Sequence, residues 1–266
     1  MTGALLRVST GLAVTLGVVC AAAVAQAEIR TETIEYRDGD TTLAGVLAWD
    51  DAMAGPRPGV LVVHEWWGLN DYAKSRARQL AEAGYVAFAL DMYGDDRVTE
   101  HANQAGEWMN QIAGNVDAWR RRALAGLEVL KAQDRVATDR LAAIGYCFGG
   151  ATVMQMAYAG ADLDAVVSFH GSLPPAPESV TEIAPRVLVA HGRDDQFIPA
   201  ERIAAFQDGL DRLGATWEMI IYSDTRHGFT NPDAGRYGID NVAYNERADR
   251  RSWDAMVDLF DEVLAN

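Results

Sequence analysis

The sequence predicts an α/β fold, in which a mostly parallel β-sheet is covered by helices on both faces. Three observations lead to this prediction. Short, continuous apolar runs recur along the chain, and such runs are typical of strands buried on both faces. Helical segments alternate with these runs, which is the order expected of parallel strands joined by crossover helices. The composition is that of a globular protein, since 49% of the 266 residues are hydrophobic and 23% are charged.

The first half of the chain begins with two antiparallel strands and continues with buried strands that alternate with helices. A turn at residues 38–40 joins the first two strands. Asn70 is a suitable N-terminal cap for a helix that Gly84 ends. Apolar residues recur at three- and four-residue steps over residues 116–130, which predicts an amphipathic helix. The predicted strands of this half span residues 34–36, 42–49, 59–63 and 85–90.

The second half repeats the alternation and ends on a helix. The predicted strands span residues 141–144, 165–169, 187–190 and 217–222. The predicted helices span residues 150–159, 200–213 and 253–264. In open sheets of this kind, ligands bind beyond the carboxyl ends of the strands. We therefore expect the chemistry to lie directly after the apolar runs.

The N-terminal segment, residues 1–27, has the pattern of a secretory signal peptide. Arg7 precedes an apolar stretch over residues 11–24, and Ala25-Gln26-Ala27 supplies a small-x-small cleavage pattern. An uncleaved membrane anchor is the alternative, but the apolar run is short for a spanning helix. We expect a protein that is exported to the periplasm or secreted, with one α/β domain over residues 28–266. No membrane association is expected after cleavage.

Charge and cysteine content limit the partners and the chemistry. The net charge of −15 argues against nucleic acid as a partner, because nucleic acid is itself a polyanion. Cys20 lies within the predicted signal peptide, so the mature chain keeps Cys147 alone and can form no internal disulfide. An unpaired thiol in an oxidising compartment is a candidate reactive group. We expect a small-molecule substrate and a monomer.

Cys147 is the candidate nucleophile. It follows the strand at residues 141–144 in the sequence Gly145-Tyr146-Cys147-Phe148-Gly149, and a helix follows it. This is the strand–turn–helix pattern of a nucleophile elbow, with cysteine in the place of serine. The positive end of the helix dipole favours a thiolate there. The alternative is a buried structural cysteine.

The candidate acid and base follow later strands, in the chain order expected for this architecture. Asp195 stands at the Gly-x-x-Asp position that commonly holds the acid, and Asp194 is its competitor. His227 lies in the loop after the last strand, where the base belongs. The remaining histidines are interpreted as structural or exposed: His64, His101, His170 and His191.

The junction after the strand at residues 59–63 reads His64-Glu65-Trp66-Trp67-Gly68. It lacks the second histidine of a zinc-protease helix and follows a strand, so that interpretation fails. We expect this junction to supply one oxyanion-hole N–H from Trp66, while Phe148 supplies the other. From the residues alone, Glu65 is either part of the site or a member of a salt bridge.

These motifs together resemble the dienelactone hydrolase family of α/β-hydrolases over about residues 30–265. The motifs that carry the resemblance are VVHEWWG, DMYG, GYCFGG, HGRDD and RHGF. The resemblance implies a triad of Cys147, Asp195 and His227 that forms a thioester, without a cofactor or metal. It also implies that Glu65 contacts the resting thiol and helps to form the thiolate when substrate arrives.

One departure from the family bears on the substrate. The family binds its substrate carboxylate through two arginines, and the positions that match by counting hold Asp95 and Asn231. Arg97 and Arg236 are nearby substitutes, but neither is in register. We therefore expect neutral esters or lactones to be better substrates than anionic ones. Further aromatic residues are candidates for contacts with the substrate: Trp67, Tyr93 and Phe229.

The expected function is hydrolysis of an ester or lactone bond. One alternative is a general carboxylesterase that acts on linear neutral esters. The other is a non-catalytic binding or thiol-redox protein on the same fold, because function depends on the site and not on the fold.

Overall fold

The computed structural model describes residues 1–3 and 28–265. The predicted signal peptide therefore lies, apart from its first three residues, outside the described part of the chain, and its cleavage stays a prediction. The described residues form one eight-stranded sheet in the order β1-β2-β4-β3-β5-β6-β7-β8. The strands are β1 (Ile29–Asp38), β2 (Thr41–Asp50), β3 (Arg57–Val63), β4 (Val86–Leu90), β5 (Val136–Tyr146), β6 (Ala165–Phe169), β7 (Arg186–Gly192) and β8 (Trp217–Tyr222).

The sheet is antiparallel at one edge and parallel elsewhere. Strand β2 pairs antiparallel with both β1 and β4, and every other neighbouring pair is parallel. Helices connect most of the parallel strands, which confirms the predicted α/β architecture. The helices are α1 (Asp71–Glu82), α2 (Ala102–Ala113), α3 (Val116–Lys131), α4 (Phe148–Tyr158), α5 (Ala200–Arg212) and α6 (Glu246–Val263), and Ala234–Tyr237 forms a short 3₁₀ turn.

Two apolar cores lie on the two faces of the sheet. Successive side chains of a strand point to opposite faces, so β3 contributes to both cores. Leu61 and Val63 belong to the core that α3 and α4 cover, whereas Val60 and Val62 belong to the core that α1 and α6 cover. This two-sided burial explains why the central strands are apolar throughout. The carboxyl ends of β3, β5, β7 and β8 consequently lie at one edge of a rigid sheet.

The structure differs from the predicted elements in two helices and two strands. Helix α6 begins at Glu246 rather than at residue 253. Helix α2 has no counterpart among the predicted elements. Ala105 is its one fully buried residue, so the helix lacks a clear apolar face, and the cap residue His101 makes no side-chain hydrogen bond to the helix. Strand β1 extends to ten residues although most of its side chains are exposed, since its backbone pairs along the whole length of β2. Strand β5 begins at Val136 rather than at residue 141, because Val136 and Ala137 also pair with β3, ahead of a shift in register at Pro58/Gly59. Among the described residues, no helix is long and apolar enough to cross a bilayer.

Candidate active site

The nucleophile turn places Cys147 between β5 and α4. Its backbone has φ of +54°, a conformation that costs energy in a residue with a side chain and is typical of strained turns at functional sites. The two flanking glycines make the turn possible. A Cβ on Gly145 would lie 2.0 Å from the carbonyl oxygen of Gly149, and one on Gly149 would lie 2.2 Å from that of Val63. The tight turn leaves the Cys147 side chain half-buried, so that part of it remains accessible.

His227 and Asp195 meet at the ends of β8 and β7. The Nδ1 atom of His227 lies 2.7 Å from Oδ2 of Asp195, and both residues are buried. The other carboxylate oxygen of Asp195 accepts the backbone N–H of Phe197 at 2.9 Å. Asp194, the competitor for the acid position, is exposed. The geometry thus pairs His227 with Asp195 and leaves Asp194 in solvent.

Cys147 and His227 line the same cleft, and the charge of Cys147 acts on the His227 pKa. Cys147, His227 and Asp195 therefore come together at one place in the fold. Burial alone lowers the pKa of His227. The charge of a Cys147 thiolate, the hydrogen bonds from Asp195 and Cys147 and the charge of Asp195 outweigh that effect and raise the pKa to about 10. The environment of His227 therefore favours its protonated form.

Two further histidines support this arrangement without joining it. His170 is fully buried, binds the Thr230 hydroxyl at 2.8 Å and packs edge-on against His227 with ring centroids 5.1 Å apart. Burial and the neighbouring His227 lower the pKa of His170, so it stays neutral. The Nδ1 atom of His64 lies 2.5 Å from the carbonyl oxygen of Glu65, and its Nε2 accepts the N–H of Met92. These histidines hold the loops that carry the site.

Glu65 lies in the same site, and Asn231 holds its carboxylate. The Asn231 amide donates to Oε2 of Glu65 at 2.7 Å, and both side chains are buried. Burial raises the pKa of Glu65 to about 7, although the Asn231 hydrogen bond and the charges of His227 and Arg76 act in the opposite direction. No salt bridge to Glu65 is found in the described part of the chain. The hydrogen-bond partner of its carboxylate is the neutral amide of Asn231. Glu65 therefore titrates near neutral pH.

Two backbone N–H groups adjoin the nucleophile. Phe148 begins α4, and neither its N–H nor that of Trp66 has an acceptor within residues 28–265. The hydroxyl of Tyr93 donates to the carbonyl oxygen of Trp66 at 2.9 Å, which fixes the orientation of that peptide segment. Two free N–H groups beside a nucleophile have the composition of an oxyanion hole.

A cleft of about 210 Å³ opens above Cys147 and His227. Trp67 lines it and stacks on Tyr237, with ring centroids 3.9 Å apart. Most of its remaining walls are apolar. The lining residues are Glu65, Trp66, Trp67, Met109, Cys147, Ser172, Phe197, Ile198, Arg202, His227 and Val242.

Two of the three aromatic residues predicted to contact substrate, Tyr93 and Phe229, are not in the lining of this cleft. Phe229 is fully buried and packs against His170 and Tyr222, so its position does not support a substrate contact. Tyr93 is buried behind Trp66 and reaches it through the hydroxyl.

The two arginines considered as carboxylate ligands also lie outside the cleft. Arg97 pairs with Asp95 at 3.0 Å and Arg236 pairs with Glu100 at 2.5 Å, and all four side chains are substantially exposed. The arginine that does line the cleft is Arg202, which no sequence pattern singled out.

A larger and more open depression, of about 710 Å³, borders the outer side of the Asp195 loop. Its lining is mainly charged and exposed and includes Arg193, Asp194, Asp224 and Arg226. It contains no nucleophilic cysteine, and its only buried ionisable group, Asp195, is already paired with His227. The smaller cleft, which holds Cys147 and His227, is therefore the candidate active site. No group of three or more metal-binding side chains is found in the described ranges.

Comparisons with known proteins show the family of this chain. The family model described as "Dienelactone hydrolase family" matches residues 43–264. The chain belongs to the dienelactone hydrolase family. It is therefore an ester or lactone hydrolase on the α/β-hydrolase fold.

Relatives of this family member extend over nearly the whole described chain. A Yersinia pestis protein named "Putative carboxymethylenebutenolidase" is 28% identical over 241 residues, which cover 86% of each chain. The crystal structure of a dienelactone hydrolase-like promiscuous phosphotriesterase from metagenomic libraries is 42% identical, with a TM-score of 0.87 over 89% of this chain and 99% of the other. A Thermogutta terrifontis esterase is 16% identical with a TM-score of 0.64 over 89% and 96%, and shares the fold.

Besides Arg202, the sequence reasoning did not find the roles of Phe197, Asn231 and Met109 at the site. Phe197 follows Asp195 by two positions and could have been found from that spacing alone. Asn231 was considered only as the residue at the position of a family arginine, although a buried carboxylate at Glu65 requires a donor. Met109 lies on α2, and its sequence carries no signal for a cleft residue.

Proposed function

We propose that this family member hydrolyses neutral esters or lactones through a Cys147–His227–Asp195 triad and a thioester intermediate. The observation that carries the proposal is that Cys147 and His227 line one cleft, where Nδ1 of His227 lies 2.7 Å from Oδ2 of the buried Asp195. The nucleophile, the base and the orienting acid that acyl transfer requires are therefore brought together.

Acylation begins with the Cys147 thiolate. The sulfur attacks the substrate carbonyl carbon, and the carbonyl electron pair moves onto oxygen, where the N–H groups of Trp66 and Phe148 bind it. When the tetrahedral intermediate collapses, the carbon–oxygen bond to the leaving group breaks. His227 donates its proton to the leaving oxygen, and a thioester remains on Cys147.

Deacylation returns the enzyme to its starting state. Neutral His227 accepts a proton from water, and the resulting hydroxide attacks the thioester carbonyl. Collapse of the second tetrahedral intermediate expels the thiolate and releases the carboxylic acid. Asp195 keeps Nδ1 of His227 protonated and stabilises the imidazolium in both halves of the reaction.

The alternatives are separated by one set of rate measurements. A non-catalytic or thiol-redox protein gives no turnover of a chromogenic ester. A general carboxylesterase hydrolyses linear esters but not lactones of similar size. We expect turnover of both, and we expect turnover to disappear when Cys147 is alkylated with iodoacetamide.

The charge preference of the cleft gives a further prediction. A substrate carboxylate in a dry site needs a fixed cation. Arg202 is exposed and makes only a 3.5 Å contact with the Ser172 carbonyl oxygen, so water screens its charge. We expect neutral lactones and esters to have a higher kcat/KM than the matched carboxylate-bearing lactones. A neutral phosphotriester belongs in the same substrate panel, since the 42% identical relative is described as a promiscuous phosphotriesterase.

A preference for the anionic lactone that is lost in Arg202→Ala would contradict this prediction. Arg97→Ala is the matched control, because Arg97 pairs with Asp95 at the surface. The anionic preference could instead be lost in Arg97→Ala and kept in Arg202→Ala. That result would show that Arg97 leaves Asp95 to bind substrate, and it would also contradict the predicted preference for neutral substrates.

The titration of Glu65 gives a pH prediction. Since burial raises the pKa of Glu65 to about 7, its carboxyl is protonated at lower pH and ionised at higher pH. If the ionised form takes the proton of the resting thiol, kcat/KM rises between about pH 6 and about pH 8, as for a general base of that pKa. Glu65→Gln should lower kcat/KM by about a hundredfold at the upper end and remove the rise.

The control for this pH profile is Glu100→Gln. Glu100 is exposed, and its partner Arg236 lies at the surface. We expect the wild-type profile in this variant. A Glu65→Gln enzyme that keeps the full rise would show that another group titrates, and would contradict a proton-accepting role for Glu65.

A further inference from the structure

The order of the strands divides the cleft into two sides. Cys147 follows β5, which lies between β3 and β6 in the sheet. Trp66 follows β3, so the proposed oxyanion-hole N–H lies on one side of the sulfur. Ser172, Phe197 and His227 follow β6, β7 and β8, so the proton donor lies on the other side.

This division fixes the direction in which an ester binds. The carbonyl oxygen faces the N–H groups, and the leaving oxygen faces His227, because His227 must protonate it. The group attached to the leaving oxygen therefore extends along the side of the cleft formed after β6 and β7. The acyl group does not extend along that side of the cleft.

Phe197 is the large apolar side chain on the leaving-group side next to His227. Its ring stands nearly perpendicular to the His227 ring, at 83°, with centroids 5.1 Å apart. Phe197 is 49% exposed, and of the large hydrophobic residues that are exposed in the described part of the chain, Phe197 alone lines the cleft. Its backbone is fixed, because its N–H donates to Asp195. A half-exposed ring with a fixed backbone is a preformed surface for a flat apolar group.

We propose that Phe197 is a specificity-determining residue that selects esters with an aromatic leaving group. The proposal rests on the proposed ester hydrolysis and deepens it, since it names the substrate class on the alcohol side. The aromatic ring of the leaving group packs on the exposed face of Phe197 while its oxygen faces His227. Nothing in this contact involves the acyl group.

The experiment compares benzyl, cyclohexylmethyl and ethyl esters of one acid. All three release an alkoxide, so their chemical reactivities are similar, and kcat/KM reports acylation. We expect Phe197→Ala to lower the benzyl-to-ethyl ratio of kcat/KM about tenfold, the scale of one lost aromatic contact together with its buried area. Phe197→Trp restores the ratio. The cyclohexylmethyl ester, which matches benzyl in bulk, loses less than benzyl.

Two controls keep the result specific to Phe197. Ile221→Ala removes an apolar side chain that is 48% exposed on β8, outside the cleft lining, and should leave every ratio unchanged. If Phe197→Ala merely disturbs His227, all esters slow together and the ratio stays constant, which overturns the proposal. A change in the preference among acyl groups on one alcohol overturns it as well.

The two proposals fail in distinguishable ways. If the wild-type protein hydrolyses none of these esters, the proposed function fails. If it hydrolyses them and Phe197→Ala leaves the benzyl-to-ethyl ratio unchanged, only the role of Phe197 fails.

Discussion

Replacing Cys147 with alanine should lower kcat on a chromogenic ester by about 10⁴–10⁶-fold, as loss of a nucleophile does in other triads. The fold should persist, because alanine has the same backbone preferences as cysteine at φ of +54° and fills part of the same space. Circular dichroism and the midpoint of thermal unfolding check this. Activity is measured on the chain that begins at Glu28, so that Cys147 is its single thiol.

Alkylation supplies the control for this variant. Iodoacetamide should inactivate the wild-type protein with one label per chain and should leave Cys147→Ala unlabelled. Cys147→Ser keeps a nucleophilic atom, but an alcohol is far less ionised than a thiol at neutral pH. Its activity should fall between that of alanine and that of wild type. Activity in Cys147→Ala close to the wild-type level would show that Cys147 is not the nucleophile.

Replacing Asp195 with asparagine should lower kcat by about 10⁴-fold, the cost of presenting the wrong histidine tautomer in a triad. An amide at this position can donate its N–H to Nδ1 of His227, which lies 2.7 Å from the carboxylate, and Nε2 then carries the proton. In that state His227 can no longer accept a proton from water on the side that faces Cys147. The variant should also reduce the rise in the His227 pKa, to which the charge of Cys147 and the hydrogen bond and charge of Asp195 contribute.

Asp194→Asn is the matched control, since it makes the same chemical change one residue away on an exposed side chain. We expect kcat within about twofold of wild type, as is usual for surface substitutions. Equal losses in the two variants would indicate a general disturbance of the loop. A larger loss in Asp194→Asn would assign the acid to the other aspartate.

The sequence was most informative where a residue's role depends on its immediate neighbours. The turn around Cys147 could be predicted because tight geometry demands glycine at residues 145 and 149, and the structure shows why. The central strands could be predicted because burial on both faces requires apolar side chains throughout. Asp195 could be favoured over Asp194 from its spacing in the loop, and the hydrogen bond to His227 follows the same choice.

Features that depend on distant segments could not be predicted in the same way. Glu65 and Asn231 are 166 residues apart, and their hydrogen bond arises only when the β3 and β8 loops meet. Counting from the family motif put Asn231 at the position of a substrate-binding arginine, whereas in the structure its amide donates to the buried carboxylate of Glu65. Phe229 is apolar like a pocket residue, but the backbone turns it into the core. Burial of a single side chain is set by tertiary packing, which periodicity does not encode.

The measurement that tests the central claim most directly is rapid quenching of the reaction with an ester, followed by mass spectrometry of the intact protein and its peptides. The account predicts that the chain gains the mass of one acyl group within the first turnover. The added mass lies on the peptide that contains Cys147, and hydroxylamine removes it as it removes a thioester. An acyl group on another residue, or full turnover without any covalent adduct under conditions where deacylation is slow, would contradict the account.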